Sequence, residues 1–425
     1  MCPPHFPHHL PYLSLSLPCP PLTPPCPRVP PGHPRFFNQL FSGLDHHALA
    51  GRFLTETLNT TPYTYEVAPV LLLMEEQVLA KLRELVGWSS GDGIFAPGGS
   101  MSNMLAMNVA RFQRFPESRS RGNWDLPRLG LFASQESHYS ILKGAALLGI
   151  GTDNVHLVRT DERGKMIPEE LEKEIQRVKA EGSEPLFVCA TSGTTVLGSF
   201  DPLDAIADVC ARHGLWLHVD AAWGGSALLS PQLRHLLAGI HRYVPPPVPL
   251  RRCSPSQIPG LLQRCHGMGA TYLFQRDKFY DVSLDTGDKS PQCGRRADGL
   301  KLWILWKAVG TRGLARRVER AYLLEQVKRR EGFQLVMEPE FLNLCFWFIP
   351  PSLRGQHSSP EFWDKLGKVA PAIKEKMMRR GSMMVGYQPH GSRVNFFRQI
   401  ITNPAVTRRD LDFFLDEIQE LGRDL

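Results

Sequence analysis

Residues 215–225, LWLHVDAAWGG, decide the fold class of this chain. Leu215, Leu217 and Val219 form the pattern of a short buried strand whose carboxyl end leads into Asp220. Ligands of open α/β sheets bind outside the carboxyl ends of the strands. A carboxylate there, followed by residues too small to block a flat ring, suits a planar cationic ligand. A second interpretation, that Asp220 only caps the next segment, stays open from this stretch alone.

Strands and helices alternate on both sides of this stretch. The predicted strands cover 129–133, 155–158, 186–190 and 215–219. The predicted helices cover 75–86, 102–112, 140–148 and 168–179, with one more that starts at Asp201-Pro202 and ends at Gly214. A further helix is expected over 231–240. This alternation predicts an α/β fold with a mainly parallel sheet and helices on both faces.

The chain divides into three predicted segments. Residues 1–34 are rich in Pro and are predicted to be disordered. Residues 35–330 form a large α/β domain, which is interrupted at 243–260 by a stretch with six Pro that cannot be a central strand. Residues 331–425 form a smaller α+β domain, with strands near 335–337, 344–349, 383–387 and 394–401 and helices at 361–380 and 407–421.

Composition excludes several classes of protein. The 425 residues have a net charge of +7, and Lys and Arg occur in short clusters, which argues against a nucleic-acid-binding surface. The nine Cys are spread singly without a CxxC pair, which argues against a structural metal site and a disulfide framework. No apolar run approaches the ~20 residues that cross a bilayer. A cytoplasmic protein without a signal peptide or membrane partner is therefore expected.

Three further motifs are predicted to reach the same sheet edge as Asp220. Gly98-Gly99-Ser100 precedes a helix, whose first N–H groups can hold a phosphate. The sequence TSGTT at 191–195 offers hydroxyls after one strand, and His138 follows another. Each motif alone also fits an ordinary loop or cap. Together they fit pyridoxal 5′-phosphate, with the phosphate on the Gly turn, His138 stacked on the pyridine and Asp220 on its nitrogen. The protonated ring is an electron sink.

The chain resembles the group II pyridoxal-phosphate-dependent decarboxylases. The resemblance covers about 32–242 and 261–425 and rests on HPRFFNQLFSGLD (33–45), PGGSMSNM (97–104), ATSGTT (190–195), HVDAAWGG (218–225), YDVSLDTGDK (280–289) and GYQPHGSRVNFFR (386–398). It implies the fold type I of pyridoxal-phosphate transferases and a homodimer. It also implies a cofactor site of Gly99, Ser100, His138, Thr194, Asp220 and Ala222, a substrate site of Gln39 and Arg398, and a loop residue, Tyr280, that protonates the reacting carbon.

The chain departs from the family pattern in two places. Pro-rich sequence stands where the family has a helical amino-terminal segment. The family also places an Asn-Pro-His-Lys motif about thirty residues after HVDAAWGG, and its lysine tethers the cofactor. This chain has no lysine between Lys179 and Lys278, and the Pro-rich stretch 243–260 occupies the position. Two strands of the family's sheet are therefore expected to be lost.

The resemblance implies removal of CO2 from an acidic amino acid. Cysteine sulfinate to hypotaurine, a step of taurine biosynthesis, is the first expectation, and cysteate, aspartate and glutamate are alternatives. Because the lysine is missing, a catalytically impaired splice or gene-model variant that binds intact subunits is the alternative function. An aminotransferase of the same fold type fits the motifs less specifically.

Overall fold

The computed structural model describes residues 29–41, 43–242, 260–320 and 325–425. The predicted disorder of residues 1–28 and the predicted break at 243–259 lie outside these described residues. Residues 29–34 form turns, in which the N–H of His33 donates to the carbonyl of Pro30 and Asn403 donates to the carbonyl of Gly32. The described structure therefore includes the last six residues of the segment predicted to be disordered.

The elements alternate as the sequence pattern predicts. The strands are β1 (Phe36–Phe37), β2 (Leu129–Ser134), β3 (Val155–Val158), β4 (Glu184–Thr191), β5 (Trp216–Asp220), β6 (Phe333–Leu335), β7 (Asn343–Phe348), β8 (Met384–His390) and β9 (Arg393–Ile400). The helices are α1 (His46–Leu58), α2 (Pro69–Val86), α3 (Gly99–Arg114), α4 (Ser118–Arg121), α5 (Ser140–Leu147), α6 (Pro168–Ala180), α7 (Leu203–His213), α8 (Leu261–His266), α9 (Asp298–Arg320), α10 (Glu325–Arg329), α11 (Phe362–Arg380) and α12 (Arg408–Leu421).

The first sheet has four parallel strands in the order β3-β2-β4-β5. Its central strands β2 and β4 are buried almost throughout, which explains their continuous apolar sequence. The register pairs Cys189 with His218 and Thr191 with Asp220, so two of the predicted motifs end at the same edge. In the described part of the chain β5 is an edge strand, as expected for a sheet without its next strands.

Local signals explain most helix boundaries and one wrong prediction. Helix α2 begins earlier than predicted, with Pro69 in its first turn, and α3 begins at Gly99 inside the glycine turn. The α-helix expected over 231–240 is wrong, because the structure forms a short 3₁₀ helix at Arg234–Leu237. Gly239 follows with a φ of +90°, a conformation that a side chain disfavours and that ends the segment.

The second sheet has five strands in the order β1-β8-β9-β7-β6. Strand β1 joins it in parallel, pairing Phe36 with Met384 and Phe37 with Val385. The amino-terminal segment is therefore fixed to the carboxyl-terminal sheet. Helices α11 and α12 cover this sheet, and their buried side chains belong to the same core as those of α6 and α7.

Helices α1, α2 and α9 form a further layer, of which only α2 was predicted from the sequence. Gly51 of α1 lies so close to α9 that a Cβ there would be 3.1 Å from the Cα of Lys301. Among the described residues, no helix combines the length and apolar character that crossing a bilayer requires.

Candidate active site

The Asp220 carboxylate lies at the end of β5 and is accessible. Its Oδ1 accepts the N–H of Ala222 at 3.1 Å, and its Oδ2 accepts the side-chain amide of Asn103 at 2.8 Å. These two bonds occupy about half of the roughly four acceptor sites of a carboxylate. Among the described residues no Lys or Arg pairs with Asp220. The group can therefore accept a hydrogen bond from a cationic ligand.

Asn103 of α3 connects the other polar side chains to Asp220. Its buried amide also donates to Ser140 Oγ at 3.0 Å, and its Oδ1 accepts from His218 Nε2 at 2.8 Å. Burial lowers the pKa of His218, and the nearby Asp220 carboxylate opposes this shift. A neutral His218 that donates from Nε2 fixes the orientation of the Asn103 amide, which in turn orients Asp220.

His138 belongs to the same network through Ser140. Its Nδ1 lies 2.9 Å from Ser140 Oγ and accepts the N–H of Ser140 at 3.2 Å. In the neutral ring the proton is therefore on Nε2. The polar chain from His138 through Ser140 and Asn103 to Asp220 confirms that these two predicted residues reach one edge of the sheet.

The amino terminus of α3 lies beside Asp220 and the segment that follows it. No side chain caps this helix, and Ser100 in its first turn is exposed. A Cβ on Gly99 would lie 3.2 Å from the Cβ of Ala222, so the glycine permits the close approach of α3 to the segment after β5. Free N–H groups and the helix dipole favour a phosphate at this position.

The loop after β4 joins the two sheets. Thr194 is fully buried, and its Oγ1 accepts the N–H of Ser199 at 3.0 Å. The carbonyl of the next residue, Thr195, accepts from Asn343 at 3.1 Å, and Asn343 in turn accepts from Trp223 Nε1 at 2.8 Å. Thr194 therefore stabilises a loop that contacts both the segment after Asp220 and the second sheet.

Arg398 of β9 faces this loop from the second sheet. Its Nη1 donates to the Thr195 carbonyl at 2.8 Å and its Nη2 to the Asn38 carbonyl at 3.2 Å, while its buried Nε has no hydrogen-bond partner in the described part of the chain. Burial lowers the pKa of the guanidinium. No carboxylate pairs with it among the described residues. Gln39 follows Asn38 directly and is half-buried, so the predicted substrate pair lies in one region.

Tyr280 lies in a different cluster. Its hydroxyl donates to Asp285 Oδ1 at 3.0 Å, and Lys278 ion-pairs with Asp285 at 3.1 Å and with Glu66 at 3.0 Å. None of the described hydrogen bonds of Tyr280 reaches Asp220 or His138. A role of Tyr280 in protonation therefore remains a prediction that this arrangement does not test.

Sequence reasoning missed three residues of the site, namely Asn103, Ser140 and His218. Each lies within a motif or beside one, yet a side-chain amide in a helix or a histidine in a strand has no local signature. Their function depends on three elements meeting, α3, α5 and β5. Alternation along β5 places His218 and Asp220 on the same face of the strand, and this was the one available signal.

The family described as "Pyridoxal-dependent decarboxylase conserved domain" matches residues 26–244 and 257–349. The chain belongs to this family.

Its relatives include human cysteine sulfinic acid decarboxylase, 62% identical over 408 residues that cover 92% of this chain and 83% of the relative. The bovine acidic amino acid decarboxylase GADL1 is 60% identical over 92% of this chain and 78% of its own. The crystal structure of mouse CSAD superposes with a TM-score of 0.88 and 59% identity, covering 93% of this chain and 85% of that one. An Oryza sativa TDC structure with pyridoxal phosphate and tryptamine, 23% identical with a TM-score of 0.79 over 92% and 85% of the two chains, shares the fold.

Pyridoxal phosphate is the cofactor of this decarboxylase family, and the site fits part of it. The open Asp220 carboxylate and the uncapped start of α3 suit the ring nitrogen and the phosphate. A cavity of about 400 Å³ adjoins them, and its described lining contains His218, Asp220 and Asn103 but no lysine. Lys278 and Lys289 are held in ion pairs with Asp285 and Asp92. The described residues therefore fit a non-covalent cofactor and supply no amine to tether it.

Proposed function

We propose that this site is built to remove CO2 from an acidic α-amino acid, with cysteine sulfinate as the first candidate substrate. The observation that carries the proposal is Arg398, a half-buried cation without a carboxylate partner in the described chain. Burying an unpaired charge is costly, and a ligand carboxylate would remove that cost. A carboxylate can take two parallel N–H bonds from a guanidinium.

The proposed roles combine the contacts described above with the resemblance of each motif to the family, and for Tyr280 and Gln39 they rest on the resemblance alone. Asp220 would hold the ring nitrogen of pyridoxal phosphate, and the bound cofactor would supply an electron sink. His138 and Ala222 would hold the ring, while Gly99 and Ser100 would hold the phosphate through the start of α3. Thr194 stabilises the loop after β4, and Gln39 and Arg398 would bind the substrate. Tyr280 supplies a proton to the reacting carbon.

The choice among acidic substrates rests on the relatives. The human and mouse relatives are named as cysteine sulfinic acid decarboxylases, and others as acidic amino acid decarboxylases. Cysteine sulfinate, cysteate, aspartate and glutamate differ by a methylene or by the acid group. One methylene changes the free-energy difference with which a site distinguishes two substrates by only ~1–3 kcal/mol. We therefore rank cysteine sulfinate first and propose cysteate, aspartate and glutamate as further candidate substrates.

A second candidate function follows from the missing amine. Without a lysine at the site, the chain is proposed to turn over poorly and to act as a non-catalytic binding partner of intact subunits. Two observations favour this reading. The described lining of the site contains no lysine, and β5 is the last strand of the sheet that the described residues form.

The deciding experiment restores the family's lysine-bearing segment in place of residues 243–259. Both chains are incubated with pyridoxal phosphate and each of the four acids, and the amine product is measured. Hypotaurine as the fastest-formed product of the restored chain supports the first function. Absence of any amine product from the restored chain would contradict it, and equal turnover by both chains would contradict the second candidate.

Three coarser proposals complete the assignment. A homodimer is supported by exposed apolar side chains on α1 and α2, including Phe53, 66% exposed, and Val70, 57% exposed. A cytoplasmic location is supported by the described cysteines, which are all free. The division into a cofactor domain at 35–330 and a smaller domain at 331–425 is kept as a proposal. Sedimentation of the purified chain tests the dimer.

A further inference from the structure

Lys374 of α11 has no assigned role and an unusual environment. Its half-buried Nζ donates to Asn38 Oδ1 at 3.0 Å and to the carbonyl of Val385, and it lies 2.8 Å from Met384 Sδ. No carboxylate pairs with it among the described residues. Burial lowers the pKa of this amine to about 8. A lysine in this environment acts by holding its uncharged hydrogen-bond partners in position.

Asn38 joins this lysine to the substrate site. Its side chain accepts from Lys374, and its main-chain carbonyl accepts from Arg398 Nη2 at 3.2 Å. The backbone on its amino-terminal side is fixed because β1 pairs with β8. Gly386 of β8 leaves room for it, since a Cβ there would lie 3.3 Å from Asn38 Oδ1. Asn38 is thus held by Lys374 through its side chain and by β1 through its backbone, and Gln39 follows it directly.

We propose that Lys374 is a positioning residue for substrate binding, which holds Asn38 so that the Asn38 carbonyl fixes the plane of the Arg398 guanidinium. This inference rests on the proposed role of Arg398 as the carboxylate ligand. Lys374 itself does not touch the substrate.

The hydrogen bonds of Arg398 explain why the orientation of its guanidinium plane affects carboxylate binding. A guanidinium has five N–H donors in a rigid fork. The carbonyls of Thr195 and Asn38 accept one N–H from each terminal nitrogen, and none of the described residues accepts the N–H of the buried Nε. A carboxylate that binds two parallel N–H groups requires these remaining donors in one orientation. If Asn38 is released, the guanidinium loses one of its two anchors.

The test measures binding, so it does not depend on turnover. The probe is 3-sulfinopropionate, which has the carboxylate and sulfinate of cysteine sulfinate but no amine and cannot react with the cofactor. Its dissociation constant is measured by calorimetry on the full chain saturated with pyridoxal phosphate. The variants are Lys374→Met, Asn38→Ala, the two combined, Arg398→Leu and the control Lys368→Met, which alters an exposed lysine on the same helix.

The expected weakening for Lys374→Met is about threefold to tenfold, which corresponds to one ordinary hydrogen bond. Lys368→Met leaves the dissociation constant unchanged, and Arg398→Leu abolishes measurable binding. The double variant binds no more weakly than Lys374→Met alone, because both changes break the same link. The affinity for pyridoxal phosphate is the same in all of these chains, which a general loss of structure would not leave intact.

The contrary results separate the two proposals. Loss of binding in Arg398→Leu with native binding in both Lys374→Met and Asn38→Ala overturns the role of Lys374 alone. Native binding in Arg398→Leu overturns the carboxylate assignment and this inference with it. Additive losses in the double variant, or a parallel fall in cofactor affinity, also overturn the positioning role. If Lys374→Met does not fold, Asn38→Ala decides the question, because it breaks the link and leaves the lysine in place.

Discussion

The buried ion pair between Glu75 and Arg295 offers the sharpest test of how the glycine turn before α3 is held. The two side chains are 7% and 2% exposed, with Arg295 Nη1 2.7 Å and Nη2 3.1 Å from the two carboxylate oxygens. Arg295 Nη2 also donates to the carbonyl of Pro62 at 2.7 Å. Glu75 Oε1 accepts the N–H of Phe95, which precedes the glycine turn by three residues. The pair therefore fixes the chain that leads into α3.

The perturbation is Glu75→Gln, which keeps the size of the side chain and removes its charge. Removing one partner of a buried ion pair costs about 3–5 kcal/mol, because the remaining charge stays buried without compensation. The amide retains one oxygen for a hydrogen bond, so we expect the lower end, about 3 kcal/mol. The affinity for pyridoxal phosphate should fall as well, since the backbone before Gly98 is less well held.

The assay is urea unfolding followed by circular dichroism, with the free energy of unfolding obtained by linear extrapolation. The matched control is Glu76→Gln, at the next position of α2. Glu76 pairs with Arg83 at 2.6 Å but is 54% exposed, so its loss should cost under about 1 kcal/mol. Equal effects of the two substitutions would refute the reasoning, because they would show that burial of the Glu75 pair contributes nothing.

Three further outcomes are expected. In the chain with the lysine-bearing segment restored, Asp220→Asn should abolish CO2 release, because an amide cannot stabilise a ring cation; retention of most of the rate would contradict the assignment. Arg398→Leu in that chain should raise KM about tenfold to a hundredfold, the equivalent of a lost charged hydrogen bond, and unchanged kinetics would place the carboxylate elsewhere. Burial raises the pKa of Asp201 from 3.8 to about 6. Between these two pH values the folded state binds a proton that the unfolded state has released, so the free energy of unfolding falls as the pH rises from 3.8 to about 6. Unfolding of Asp201→Asn at pH 4 and pH 7 should lack this fall, and the same pH dependence in both chains would contradict it.

The sequence predicted the parallel sheet well because buried strands have a strong signal. Strands β2 to β5 are short apolar runs bounded by turn residues, and their predicted bounds differ from the observed ones by two residues or fewer. Strand β1 was missed because two residues, Phe36 and Phe37, are too few to show a periodic pattern. Their partners in β8 lie 348 positions further along the chain. The α-helix expected over 231–240 is wrong, because the spacing of apolar residues does not distinguish an α-helix from the short 3₁₀ helix that forms there.

The site was predictable only where a motif places a residue on a strand end or a helix start. Asp220, His138 and Gly99 have such positions, and the structure brings them to one edge. Asn103 was missed, although it bonds to Asp220, Ser140 and His218, because no spacing reveals which helix face meets β5. Lys374 was missed for the same reason, since its partner Asn38 lies 336 positions away.

We expect this chain to form the cofactor site without an amine to tether the cofactor, because the described lining of the site contains no lysine. The most direct measurement is borohydride reduction of the chain saturated with pyridoxal phosphate, followed by mass spectrometry of its peptides, beside the chain with the lysine-bearing segment restored. We expect saturable binding of pyridoxal phosphate to both chains, stoichiometric modification of one lysine in the restored chain only, and negligible hypotaurine formation by the chain as it stands. Stoichiometric modification of Lys278, Lys289 or any other single lysine of the unaltered chain, with turnover close to that of the restored chain, would contradict it.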